Sequence, residues 1–171
     1  MYEEIIIAGS GGQGIMFFGT LLCNVAVSQN KYTTFFPSYG AEIRGGFASC
    51  SVIISDEEIG SPIVTNPSIL IVMNQQSFSR FSPKIKKDGL LFVNSSLVES
   101  FLENAIKIPA TETASDIGDV RVANMVMLGK LISTTTLFPV EIVTDIIKNT
   151  FSTRNNLLDT NLTAFMRGTE L

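Results

Sequence analysis

Gly9, Ser10, Gly11, Gly12, Gln13 and Gly14 stand between a short apolar run and a nearly chargeless helix-forming stretch. A strand–glycine loop–helix unit of this kind accepts phosphate for a physical reason. The first N–H groups of a helix have no internal partner, and the aligned peptide dipoles leave partial positive charge there. On this reading Gly9 permits the tight turn, Gly11 the close approach of a phosphate, and Gly14 close packing of helix on sheet, with the Gln13 amide at the same mouth. The dipole contributes roughly 0.3–1 kcal/mol to a bound anion, and about 2 kcal/mol where the site is partly buried. A dinucleotide is not specified, because no Asp or Glu lies between Ile5 and Ala41 to hold ribose hydroxyls. Glycines serving only turn and packing are the alternative.

A second glycine-marked segment, 37–46, reads Pro-Ser-Tyr-Gly-Ala-Glu-Ile-Arg-Gly-Gly. Its polar groups are Ser38, Tyr39, Glu42 and Arg44. The planar guanidinium of Arg44 suits phosphate or carboxylate, and a pair with Glu42 or a bridge to another chain is an equal alternative. In open α/β sheets ligands lie beyond the carboxyl ends of the strands. Ser10, Pro37-Ser38, Asn74 and Asn94 follow predicted strands and would share one such rim. Asn94 and Ser95 serve equally well as helix caps, whereas Asn74 is read as a site residue. Asn124, in an otherwise apolar helix, is read as a buried and satisfied polar residue.

The elements that must position these loops follow from periodicity. Glu4–Ala8 is a β-branched run read as a buried parallel strand, and 14–29 reads as a helix whose polar stripe is Thr20, Asn24 and Ser28. That helix is apolar round the rest of its circumference, which predicts cover by a sheet and by another chain. Strands are predicted at 32–36, 47–55, 68–73, 89–93 and 105–109, and a capping box Ser96–Glu99 predicts a short helix there. Helices are predicted at 119–132, 140–148 and 154–166. The pattern gives a Rossmann-like three-layer α/β domain with a mostly parallel sheet, helices on both faces and a helical C-terminal part. The link between the second and third strands has no helix, so at least one antiparallel or irregular neighbour is expected.

The 171 residues fit one domain, 1–171. Hydrophobic residues make up 45% and charged residues 16%, where about 25% charged is usual. The deficit predicts surface covered by partner chains, and an isolated chain is expected to pair with itself. A net charge of -4 without a basic run excludes nucleic-acid binding. There is no histidine, so imidazole chemistry is excluded. Cys23 and Cys50 alone supply neither an iron–sulfur cluster nor a structural zinc site, and fit a reduced, cytoplasmic protein with buried thiols. The stretch Ile15–Val27 is too short to span a bilayer and the N-terminus lacks a signal-peptide pattern, so no membrane association is expected.

The two loops together resemble the γ subunit of 2-oxoacid:ferredoxin (acceptor) oxidoreductases. The stretches Gly60-Ser61-Pro62-Ile63-Val64, Met73-Asn74-Gln75, Ala123–Gly129, Asn155–Leu157 and Ala164–Gly168 are similar as well, so the likeness covers nearly the whole chain. Pro37–Gly40 and Ile59–Pro62 look closest to the 2-oxoglutarate branch; Ala41 departs from the proline of many relatives. The resemblance implies oxidative decarboxylation of a 2-oxoacid with acyl transfer to coenzyme A. It implies thiamine diphosphate and iron–sulfur clusters on α, β and a ferredoxin-like δ subunit, since this chain has no Gly-Asp-Gly opening and no cluster ligands. Gly9–Gly14 with Arg44 would then form an anion-accepting mouth facing the partners. A nicotinamide-dependent oxidoreductase and a non-catalytic scaffold are the competing readings.

Overall fold

The computed structural model describes residues 1–40, 45–99 and 102–171, the Asn155 side chain excepted. Ala41, Glu42 and Arg44, on which part of the second-loop reading rests, lie outside the described residues.

Among the described residues six strands form one sheet: β1 (Tyr2–Ser10), β2 (Tyr32–Tyr39), β3 (Phe47–Ser55), β4 (Ile69–Val72), β5 (Leu90–Asn94) and β6 (Ile106–Ile108), in the order β2-β3-β1-β4-β5-β6. β3 runs antiparallel to both β1 and β2, while β1, β4, β5 and β6 pair in parallel. Five strands therefore share one direction and bring their carboxyl ends to one rim. The helix-free link between β2 and β3 is the antiparallel hairpin that its shortness implied.

Among the described residues six α-helices accompany the sheet: α1 (Ile15–Ser28), α2 (Gln75–Phe81), α3 (Ala110–Ile117), α4 (Ala123–Thr134), α5 (Val140–Thr150) and α6 (Asn155–Glu170). Successive strand residues point to opposite faces, and the two faces are unequal. Ile5, Ile7, Val52, Ile54 and Ile71 join α1 and the C-terminal helices in the larger core, which includes Phe18, Val126 and Phe165. Ile6, Ala8, Leu70 and Val72 join Phe47, Leu91 and Val93 of the neighbouring strands, Phe78 and Phe81 of α2, and Val98 in a smaller core.

α1 is covered by the sheet and by α4 and α5, the Phe17 and Phe151 rings standing 5.5 Å apart, while Val27 stays exposed. Three expectations are corrected by this arrangement. The Ser96–Glu99 pattern opens no helix. Residues 95–97 form a turn, and the Ser96 hydroxyl accepts instead from the Glu112 N–H at 3.1 Å, in the first turn of α3. The helix predicted from Asp119 begins as a 3₁₀ turn, Val120–Val122, with α4 following from Ala123. Pro37, Ser38 and Tyr39 belong to β2 rather than to a loop.

Edge position explains how Pro37 fits a strand. The Gly40 N–H donates to Phe47 O at 2.7 Å, and the register runs back through Tyr39↔Ala48 to Tyr32↔Ser55. Antiparallel pairs alternate between bonded and non-bonded. Ser38 and Phe36 therefore bond toward β3, while Phe35, Pro37 and Tyr39 direct their backbones outward. Proline at an outward position forfeits no ladder bond.

α4 and α6 approach each other main chain to main chain. A Cβ on Gly129 would overlap the Phe165 carbonyl oxygen and come within 2.9 Å of the Gly168 backbone. A Cβ on Gly168 would overlap the Val126 carbonyl oxygen. Two glycines set back to back thus let the helices touch main chain to main chain.

Candidate functional site at the carboxyl rim of the sheet

The glycine loop turns on Gly12 (φ 95°) and Gly14 (φ 70°), both in the left-handed region that favours glycine. Gly9 and Gly11 have ordinary backbones and serve as space. A Cβ on Gly9 would press against Gln13 Oε1 at 2.6 Å and Ile15 at 2.8 Å. Gly14 is the N-cap of α1 and packs against Asn124 of α4, whose amide donates to Gly14 O at 3.3 Å. The close approach expected between helix and sheet at Gly14 is thus an approach between the loop and α4. Asn124 is buried and satisfied, as read.

Gln13 folds back into its own loop. Its Oε1 accepts from the Ser10 N–H at 2.7 Å and from Asn74 Nδ2 at 3.2 Å, and the Gln13 N–H closes the turn on Ser10 O at 3.1 Å. Asn74 also donates to Ser10 Oγ at 2.7 Å, while its Oδ1 caps α2 by accepting from the Ser77 N–H at 2.9 Å. One side chain thereby ties the ends of β1 and β4 together and starts a helix. Asn94 is buried at the end of β5, donating to Met73 O at 3.1 Å and to Thr111 Oγ1 at 2.9 Å. The shared rim read from sequence is present for Ser10, Asn74 and Asn94.

The two glycine-marked segments meet. The Gly11 N–H donates to Gly46 O at 2.8 Å, which spends that donor on the β2–β3 hairpin and closes the hairpin side of the loop. The Gly12 N–H has no partner among the described residues. Ser38 and Tyr39 end β2 in the open, the Tyr39 ring 70% exposed. Glu42 and Arg44 lie outside the described residues.

On its open side the loop borders a pocket of about 190 Å³ that sequence reasoning passed over. Gly12 and Gln13 form one wall, Met73 and Leu97 another, and Thr111 of α3 and Arg121 of the 3₁₀ turn line the rest. Arg121 donates through Nε and Nη2 to Asp119, at 2.9 and 2.7 Å, and the Arg121 N–H also bonds that carboxylate. The guanidinium holds the Asp119 carboxyl below its ordinary range. One signal was available in the sequence. Arg121 is an isolated cation just ahead of the uncharged stretch 122–129.

Neither cysteine is poised for chemistry. Burial pushes the Cys50 thiol up to about 12, and the nearby Cys23 thiol adds to the shift. Burial also raises Cys23, partly offset by the Thr33 hydroxyl donating to its sulfur at 3.4 Å. Since the thiolate is the reactive form, we expect Cys50 to resist iodoacetamide at pH 8 in the folded chain and to label readily in denaturant. A folded-state pKa above the unfolded one also removes stability as pH rises. Unfolding should become easier between pH of about 9 and about 12. Among the described residues no three His, Cys, Asp or Glu side chains gather to hold a metal ion, and no helix is long and apolar enough to cross a membrane.

Known proteins are similar to this chain over nearly its whole length. Ketoisovalerate oxidoreductase subunit VorA of Methanothermobacter marburgensis is 38% identical over 98% of the chain, but the chain spans only 36% of that subunit's length. 2-Oxoglutarate synthase subunit KorC of the same organism is 37% identical over 100% of the chain and 97% of its own length. The crystal structure of a keto/oxoacid ferredoxin oxidoreductase γ subunit from Geobacter sulfurreducens superposes with a TM-score of 0.83, at 28% identity, covering 98% of this chain and 96% of that one. Residues 4–171 match the family model described as pyruvate ferredoxin/flavodoxin oxidoreductase, and the chain belongs to that family.

Proposed function

We propose that residues 1–171 act as one γ-type domain, the γ subunit of a heteromeric 2-oxoacid:ferredoxin (acceptor) oxidoreductase. The preferred substrate is 2-oxoglutarate. The observation that carries this reading is the end-to-end likeness to KorC, which matches in length as well as in sequence. Thiamine diphosphate and iron–sulfur clusters belong on the α and β partners and a ferredoxin-like δ chain, in the cytoplasm.

Its share of the reaction is to receive coenzyme A. The glycine loop presents the Gly12 N–H and the start of α1, ends that favour an anion. Ser10, Gln13 and Asn74 hold the loop in shape through their mutual hydrogen bonds. Ser38, Tyr39, Glu42 and Arg44 belong to the hairpin that Gly11 grips, and Arg44 supplies a cation there. A nicotinamide cofactor is disfavoured because the sequence carries no acidic residue for ribose after the loop.

Co-expression with its α and β partners should yield a complex containing this chain, with 2-oxoglutarate- and coenzyme A-dependent reduction of a viologen dye. A chain that purifies alone while the α and β subunits are fully active without it would overturn the proposal. In the assembled complex Arg44→Ala should raise the KM for coenzyme A about ten-fold, the scale of one lost charged hydrogen bond.

A further inference from the structure

The two faces of β3 differ in kind. Ala48, Cys50, Val52 and Ile54 point into the larger core, and the opposite face carries Phe47, Ser49 and Ser51 in succession. Ser38 of β2 pairs with Ser49, and Phe36 with Ser51. The three serines line a pocket of about 180 Å³ beside α2, with Ile6, Val64 and Phe81 as apolar wall and Arg80 at its border. We propose that this pocket is a socket for a carboxylate side chain, Asp or Glu, of another subunit of the complex, and that Arg80 is the cation it meets. The source of the carboxylate rests on the heteromeric function proposed above; the chemistry of the pocket does not.

The guanidinium is positioned and unspent. Arg80 makes no hydrogen bond or ion pair among the described residues. Its Cζ lies 4.2 Å from the centre of the Phe47 ring and 5.7 Å from that of Phe81, and the two rings stack on each other at 5.7 Å. Contact with aromatic rings restrains a guanidinium and leaves its N–H donors for an anion. Lys84 stands 5.3 Å from the Phe81 ring centre and adds positive charge to the same face. No carboxylate lines the pocket.

The serines supply the second observation. Ser49 is only 6% exposed, yet its hydroxyl has no partner among the described residues. A buried donor without an acceptor is unfavourable, and an anion entering the pocket would satisfy it. The Ser38 and Ser51 hydroxyls are likewise without partners there. Every polar side chain of the lining can therefore donate, and an ionised carboxylate can only accept.

The mouth points to a protein as the source. Phe36 and Ile63 line the pocket and stay exposed. An unpaired arginine ringed by aromatic and aliphatic groups has the composition of an interface anchor. The volume is below the span of whole-ligand pockets, roughly 300–1,000 Å³, and suits a single side chain.

Two measurements separate the pocket from its occupant. The first is titration of the isolated, nitrogen-15-labelled chain with propionate, which reproduces the end of a glutamate side chain, at constant ionic strength. The Ser38, Ser49 and Ser51 amide signals should shift saturably. Arg80→Ala should weaken this binding about ten-fold or more, and Arg80→Lys should keep part of it. Lys148→Ala, which removes a cation on α5, should leave it unchanged. Equal binding by Arg80→Ala and Lys148→Ala would overturn the pocket. Arg80 is exposed and touches only ring faces among the described residues, so the variant should keep its fold.

The second measurement is the affinity of the chain for its α and β partners. Arg80→Ala should lower it about ten-fold or more, and Arg80→Glu should lower it further by repelling the incoming carboxylate. Assembly by Arg80→Ala as tight as by Lys148→Ala would overturn the socket and leave the γ-subunit reading intact. A wild-type chain that binds propionate through Arg80 but joins no partner would sink that reading and the docking role with it, and leave the carboxylate pocket standing.

Discussion

Gly129→Ala is expected to destabilise the fold by about 3 kcal/mol, although alanine is the better helix former by about 1 kcal/mol. The new methyl group would overlap the Phe165 carbonyl oxygen, which is main chain and cannot swing aside as a side chain can. Separation of α4 from α6 is the only relief. It would open the core around Val126, Ala164 and Phe165, all fully buried. Thermal unfolding should report a fall of roughly 6–12 °C for a chain of this size. Gly168→Ala should behave alike, since its Cβ meets the Val126 carbonyl oxygen. The pair should be far from additive: once one methyl has parted the helices, the second enters a gap already made. Additive losses, or a rise in melting temperature with either variant, would show that the helices do not meet through these glycines.

Gly14→Ala is the second large effect, and it has two separable parts. The backbone at φ 70° costs an L-residue roughly 1–2 kcal/mol. The added Cβ also overlaps the Asn124 amide, a crowding that typically costs about 1–3 kcal/mol. Asn124→Ala in the same chain removes the second part and not the first. Urea denaturation of both single variants and the double variant should therefore show partial rescue. Full rescue would mean that backbone conformation contributes nothing at Gly14, and absence of rescue would mean that Asn124 is not the obstruction.

These residues also show where the sequence was readable. The buried strands announce themselves through β-branched runs such as Ile69–Val72, and the amphipathic stripe of α1 falls on Thr20, Asn24 and Ser28, all exposed. Strand ends were harder. β1 begins at Tyr2 because Tyr2 and Glu3 pair with Ser55 and Ile54, and no hydropathy signal marks a polar residue as paired. Two helices, α2 and α3, went unseen. They are 7 and 8 residues long, too short for a periodic pattern, and α2 is started by a cap at Asn74 that was read as a ligand group.

In the site, the glycine loop was plain from spacing alone. What it touches was not. Asn124 lies 110 positions from Gly14, and Asn74 lies 64 from Ser10. Those separations are set by how the sheet orders its strands. Arg121 escaped for the same reason: only folding carries the 3₁₀ turn before α4 to the open side of the loop.

Pro37 has a consequence for how this chain behaves in concentrated solution. The free border of β2 carries Tyr32, Phe36 and Tyr39 exposed and no charged side chain, the composition of a template for runaway strand addition. A visiting strand could bond to the outward backbones of Thr33 and Phe35. At Pro37 it finds no donor, and the growing ladder is interrupted before Tyr39. One imino acid thus acts as a gatekeeper against fibre formation, at an edge where charge repulsion is missing.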